Sequence, residues 1–295
     1  MTSQAHATAP SAPQSARAIP TEAQIEAQAQ TRLRFRRRLV ILLRIAILVV
    51  TLAVWEIGAL TGFIDPFFFA SPSGIADQIF IWVTEGTSQG PLWTQILITL
   101  EETLLGFLIG GAAGIVFGIV LGRNKLLADV FSIYIKVANS IPRVVLGSIF
   151  IIALGLGMAS KVALAVVMVF FVVFTNAFQG VREADRAMIA NAQILGASPF
   201  QITTTVIIPS AMSWILASLH VSFGFALVGA VVGEFLGAKQ GVGLLIATAQ
   251  GAFNANGVFA AMIILAMVAL VMEYFITLLE NHLVKWRPVA YSEQY

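Results

Sequence analysis

The sequence predicts an all-α polytopic membrane protein with about six transmembrane helices and both termini in the cytoplasm. Three observations carry that expectation. Of the 295 residues 58% are hydrophobic and only 11% charged, whereas roughly a quarter of the residues of a soluble domain carry charge. Several apolar runs are long enough to cross a bilayer of ~30 Å at ~1.5 Å per residue. The basic residues gather at alternate ends of those runs.

Residues 1–38 read as a disordered basic tail. The first part is rich in Ala, Gln, Ser, Thr and Pro and lacks the apolar core of a signal peptide. Arg32, Arg34, Arg36, Arg37, Arg38 and Arg44 lead into the first span, about 39–60. Beside a span such a cluster holds the N-terminus in the cytoplasm, and a net charge of +2 gives no support to nucleic-acid binding.

Residues 61–97 contain no Lys or Arg, carry Trp82 and Trp93 at interfacial positions, and include the turn Ser71-Pro72-Ser73-Gly74 followed by a short amphipathic pattern. This reads as an external segment. The second span, about 98–121, places Gly106, Gly110, Gly114, Gly118 and Gly122 on one face, a stripe against which a neighbouring helix can pack backbone to backbone. From Asp129 to Gly157 the chain is apolar and divided by Pro142, which predicts a segment entering the membrane and then a kinked third span. Read as one helix, this stretch aligns Lys136, Ser140 and Arg143 on a single face. Either a cationic surface on the path of an anionic solute or snorkelling to the interface accounts for such a face.

The fourth span returns over about 162–178, and Arg182 and Arg186 mark its inner end. The fifth, about 211–236, carries His220 and Glu234, both candidates for the translocation path or for helix contacts. An external loop with Gly241-Val242-Gly243 precedes the sixth span, about 258–279. Residues 39–285 then form the membrane domain and 286–295 a C-terminal tail. On the inner side fall the arginine cluster, Arg123, Lys125, Arg182, Arg186, Lys285 and Arg287; the outer loops hold only Lys161 and Lys239.

Between the fourth and fifth spans, residues 185–209 form a moderately polar elbow. Ile189, Ala192, Leu195 and Gly196 follow helical spacing, and Gly196 stands where a helix would stop. Ser198 reads as an N-cap and Pro199 as the first residue of a second short helix, whose apolar positions Phe200, Ile202 and 206–208 lead to Pro209.

Chemical motifs are otherwise missing. No phosphate-binding Gly-x-x-x-x-Gly-Lys-Ser/Thr loop occurs, His6, His220 and His282 have no metal-ligand spacing, and neither His-Glu-x-x-His nor Gly-x-Ser-x-Gly is present. The chain is therefore expected to be no enzyme, to hold no metal or cofactor, and to draw energy from elsewhere.

The elbow resembles the cytoplasmic coupling loop of bacterial ABC importer permeases, whose pattern is Glu-Ala-Ala, three residues, Gly, nine residues, Ile, any residue, Leu, Pro. Ala190-Asn191-Ala192 fall on the triplet, Gly196 on the glycine, and Val206, Ile208 and Pro209 on the tail; the leading Glu is here Ala190 and the middle Ala is Asn191. Ser71-Pro72-Ser73, Ile141-Pro142-Arg143 with Gly155-Leu156-Gly157, and Gly233-Glu234 with Gly241-Val242-Gly243 are similar to the nitrate, sulfonate and taurine branch. The resemblance implies a type I importer permease in the bacterial inner membrane. Its implied partners are two cytoplasmic ATPase subunits, a second permease copy, an external solute-binding protein and membrane lipid. It also implies that Ile189, Ala192, Leu195, Phe200 and Ile202 dock on the ATPase. The alternative is an ion-coupled secondary transporter or channel whose elbow is only a gate.

Overall fold

The structure, a computed structural model, describes the backbone of residues 22–283 and the side chains of residues 32–278. His6, Lys285, Arg287 and the C-terminal tail lie outside these limits, as does the side chain of His282. The chain divides into two units, residues 1–57 and 58–295.

The first unit consists, where described, of helix α1, Glu22–Leu60, which continues into the second unit. Residues 22–38, expected to be unstructured, are helical. The reason is local: Ala, Gln, Glu and Arg are strong helix formers, so winding upstream of the apolar span costs little. The span itself covers Arg32–Leu60.

The second unit is built on three long helices, α4 (Leu92–Arg123), α7 (Met158–Arg182) and α10 (Ile208–Leu236). The glycine stripe of α4 seats directly on α7. A Cβ at Gly110 would stand 2.7 Å from Val166 O, one at Gly114 2.9 Å from Phe170 O, and one at Gly118 2.6 Å from the Ala177 Cβ. Contacts advance together along both helices, so α4 and α7 run parallel. Helix α10 runs antiparallel to α7: Gly229 abuts Ala165 and Gly180 abuts Ala211. Val169, Val173 and Ala226 close one part of the core, and Ala177, Val181, Ala211 and Ile215 another.

The third span is broken. Helices α5 (Lys125–Ser140) and α6 (Arg143–Leu154) meet at 88°. Pro142 forces the preceding residue out of the helical region, and Ile141 is accordingly extended at φ −75°, ψ 127°. Among the described residues five helices are long and apolar enough to cross a membrane, or six if the bent pair is one span. Two short helices, α2 (Pro66–Phe69) and α3 (Pro72–Thr84), occupy the predicted external segment, and Ser71 caps α3 by accepting from the Gly74 N–H. Trp93 is exposed as an interfacial residue would be, but Trp82 is buried within the fold. Helix α11 (Val242–Gly251) and the last span, α12 (Ala255–Leu283), complete the unit.

The α4–α7 seam sets the stability of this core. Gly114→Ala should destabilise the protein by about 1–3 kcal/mol, the cost of overpacking a tight interior. Gly111→Ala, which meets only the mobile end of Leu219, should be close to neutral. Thermal unfolding of the two variants in one detergent checks the difference.

Candidate functional site

Two constellations stand at opposite ends of α10, which at ~1.5 Å per residue is about 43 Å long. One is the elbow. Asp185 caps α8 (Arg186–Ile194) by accepting from the Ala187 N–H at 2.7 Å. The helix ends in a paired bond motif: the Gly196 N–H donates to Gln193 O at 3.0 Å and the Ala197 N–H to Ala192 O at 3.0 Å. Gly196 holds φ +80°, a conformation glycine adopts without strain. Ser198 then caps α9 (Pro199–Ile202) in a capping box, its Oγ accepting from the Gln201 N–H while Gln201 Oε1 accepts from the Ser198 N–H. The tips of the two helices are thus capped by local bonds.

A π-helical segment, Thr203–Ile207, joins α9 to α10. The hydroxyls of Thr203, Thr204 and Thr205 donate back to Pro199 O, Phe200 O and Gln201 O. The elbow is tied to the body by buried Ala184, Ile202 and Thr203 and by Arg123, whose guanidinium donates to Pro199 O at 3.3 Å. Val206 and Ile208 are half-buried, and Pro209 is exposed in the first turn of α10.

The expected docking face therefore splits. Leu195 is 85% exposed, Phe200 74% and Ile194 83%, with Met188 beside them. Ile189 and Ala192 are half-buried, and Ile202 turns inward at 7%. Helical spacing placed Ile202 on the outer face, but α9 is a single turn whose last residue must face the body it enters. Ala190 and Asn191 are both exposed.

At the other end lies a buried polar cluster. Glu234 is fully buried; its Oε1 accepts from the Thr99 hydroxyl at 2.7 Å and its Oε2 from the Gly243 N–H at 2.6 Å. Thr99 Oγ1 accepts from the Val242 N–H at 2.9 Å, and Gln95 Oε1 from the Gly241 N–H at 2.8 Å. The first amides of α11, which have no partners inside their own helix, are thus held by side chains from α4 and α10. Close approach demands glycine: a Cβ on Gly241, at φ +113°, would fall on the Glu234 carboxyl.

Glu102 faces Glu234, and its Oε2 is buried with no hydrogen-bond partner among the described residues. Lys161 lies near both carboxyls and donates to Leu156 O at 2.6 Å and Gly157 O at 3.1 Å. A cleft of ≈ 210 Å³ opens here, with Glu102, Lys161 and Lys239 in its lining. Lys161, counted above as a loop residue, is in the first turn of α7 and almost wholly buried. Gln95, Thr99 and Thr103 escaped the sequence reading, yet they continue the glycine face of α4 toward its N-terminus at spacings of four; that continuation was the available signal.

The remaining path candidates fall in separate places. Lys136 and Ser140 are exposed on α5, where the Ser140 hydroxyl donates to Lys136 O. Arg143 begins α6 beyond the bend, donates to Asn139 Oδ1 at 2.8 Å and lies 5.0 Å over the Phe171 ring. The single face expected for these three is interrupted because it assumed an unbroken helix. His220 pairs with Glu273 of α12 at 2.6 Å, about 21 Å along α10 from Glu234.

Residues 114–285 match the family model of the binding-protein-dependent transport system inner membrane component. A Bacillus subtilis permease named for aliphatic sulfonates transport is 31% identical over 238 residues, covering 81% of this chain and 85% of its own. The taurine transport system permease of Escherichia coli is 27% identical, over 83% of this chain and 89% of its own. The riboflavin transport system permease of Chloroflexus aurantiacus is 29% identical, over 81% and 88%. Among solved structures, an inward-facing methionine ABC transporter superposes with a TM-score of 0.56 at 19% identity, over 66% of this chain and 94% of that one. An amino acid ABC transporter crystallised with histidines gives 0.52 at 20%, over 73% and 96%. The fold is that of type I ABC importer permeases.

Removing the carboxylate that receives the Gly243 amide and anchors Thr99 should expose the value of these caps. Glu234→Ala is expected to cost about 1–3 kcal/mol, the penalty of leaving buried donors unpaired. It should also speed hydrogen exchange at the amides of Gly241, Val242 and Gly243, while Glu101→Ala, an exposed neighbour, leaves both unchanged.

Proposed function

Because the chain belongs to the family of binding-protein-dependent transport system inner membrane components, we propose that it is the permease subunit of an ATP-driven importer. Its role in the bacterial inner membrane is that of a non-enzymatic, multi-pass component. The cargo in this reading is a small anionic solute such as a sulfonate, taurine, nitrate or organic acid, handed over by an external solute-binding protein. Two copies of the chain flank the path, and two ATPase subunits drive it from the cytoplasm.

The observation that carries the reading is the elbow. Ile194, Leu195 and Phe200 stand exposed on a rigid, doubly capped tip that also bears the sequence pattern of the coupling loop. An apolar tip in water is costly, and a groove on a soluble partner would cover it. Ile202 and Thr203 sink into the body, and Arg123 grips Pro199, so a displacement of the tip is delivered to the inner ends of α10 and α4. ATP-driven closure of the ATPase pair would move two such tips together, and the tight α4–α7–α10 core would transmit that motion across the membrane as rigid bodies.

The sulfonate and taurine names among the relatives support an anionic cargo. Lys136 and Arg143 supply positive charge near the α5–α6 bend, Ser140 a hydroxyl between them, and His220 a half-buried imidazole further along. In this reading they border the route, whereas Glu234 belongs to the outer closure and holds α11 in place. Arg143→Glu should then lower anion uptake severalfold with assembly unchanged, and Arg143→Lys should retain most of it. Uptake in vesicles with each variant checks this.

Leu195→Asp and Phe200→Asp place charge on exposed positions and should fold normally. Each should reduce co-purification of an ABC ATPase from native membranes at least tenfold and abolish ATP-dependent uptake. Retention of the ATPase by both variants would remove the elbow as its docking site.

A further inference from the structure

The fold carries an aromatic surface that the transport reading does not use. Asp65 caps α2 by accepting from the Phe67 N–H at 2.9 Å, and Phe67, Phe68 and Phe69 all stand exposed, with Phe63 just upstream at 91%. The turn between α11 and α12 delivers a further ring to the same place. Phe253 stacks on Phe67 with centroids 6.2 Å apart and planes 14° from parallel. It does so at φ 55°, a left-handed conformation rare for a bulky side chain, while 74% exposed.

This turn is held firmly. The Asn254 N–H donates to Ala249 O at 2.8 Å, Asn254 Oδ1 accepts from the Gly257 N–H, and Asn254 Nδ2 donates to Gln78 Oε1 at 2.9 Å. Asn256 Oδ1 accepts from the Ser71 N–H. These bonds clamp α2 and α3 to the start of α12 and aim the rings away from the interior. The bond from Asn254 to Ala249 and the Phe67 ring hold Phe253 in its left-handed conformation, and the outward faces of the rings are left to a partner outside the fold.

Depth identifies that partner. The apolar span of α12 begins at Ala255, two residues after Phe253, and the span of α1 ends at Leu60, three residues before Phe63. Stacking puts Phe67 at the depth of Phe253. The patch is therefore level with the membrane boundary and continuous with the exposed apolar flank of α12 at Met262 and Ile263. No Lys or Arg occurs from 61 to 97, and the one acidic group beside the rings, Asp65, is engaged in capping. We propose that α2 and Phe253 form a foot seated in the lipid of the outer leaflet, with the rings among the glycerol groups and upper acyl carbons. The foot fixes the depth of α3 and of the α11–α12 turn. It does not depend on the ATPase partnership.

The chain contains no cysteine, so Phe68→Cys gives one labelling site in the full-length protein. A nitroxide there, in nanodiscs of phosphatidylethanolamine and phosphatidylglycerol, is read by electron paramagnetic resonance for collisions with oxygen and with a water-soluble nickel chelate. Leu270→Cys, exposed midway along α12, calibrates lipid, and Ser88→Cys, in the α3–α4 turn, calibrates water. The oxygen-to-nickel ratio at position 68 should exceed that at 88 severalfold and fall below that at 270. A ratio equal to that at position 88 overturns the proposal, and so does weak collision with both reagents, which would mean cover by protein. Phe63→Cys samples the same surface should Phe68→Cys fail to fold.

Discussion

The fold depends on how the start of α11 is held. Three consecutive amides, Gly241, Val242 and Gly243, point into the protein, and each finds a side-chain oxygen outside α11: Gln95 and Thr99 from far away in sequence, and Glu234 nine residues back. An unpaired buried N–H is expensive, so these bonds decide where the helix can sit. They also tie α4 to α10 at the end of the bundle opposite the elbow. Glycine is needed at 241 because the Glu234 carboxyl occupies the space a side chain would take, and at 243 because the Val231 carbonyl and the Glu234 stem do.

Below that knot, the glycine stripe makes α4 and α7 one body. Carbonyls of α7 stand where Cβ atoms of α4 would be, and α10 closes against both through Gly229 and Gly180. Packing of this kind gives little by small deformations, so in the proposed importer motion entering at the elbow would move whole helices. The broken α5–α6 pair stands apart from this arrangement, since its 88° bend interrupts any continuous rod.

Features with local causes were legible in the sequence. Gly196, Ser198 and Pro199 announced the elbow because caps and turns are set within a few residues, and the glycine spacing announced the tight seam because it repeats. What escaped needed long-range pairing. Nothing near Glu234 in sequence reveals that its partners are Thr99 and the Gly243 amide, 135 and 9 residues away. The burial of Lys161 follows from the packing of α7 against α10, where Gly233 meets its stem. Periodicity also misled where helices were short or broken: Ile202 turned inward, and Arg143 left the face of Lys136 and Ser140 at Pro142.

The π-helical turn at Thr203–Ile207 has a mechanical meaning. A π-turn stores one residue more than the α-helix would use, and here the slack sits between the exposed tip and the long α10. Rewinding it as α-helix would swing Phe200 by about 100° and shift it by about 1.5 Å relative to α10. The three threonine hydroxyls, which bond back to the preceding carbonyls, can follow such a change because they rotate with their own turn. The junction thus sets the orientation of the tip relative to α10, with Ile202 and Thr203 keeping it seated on the core.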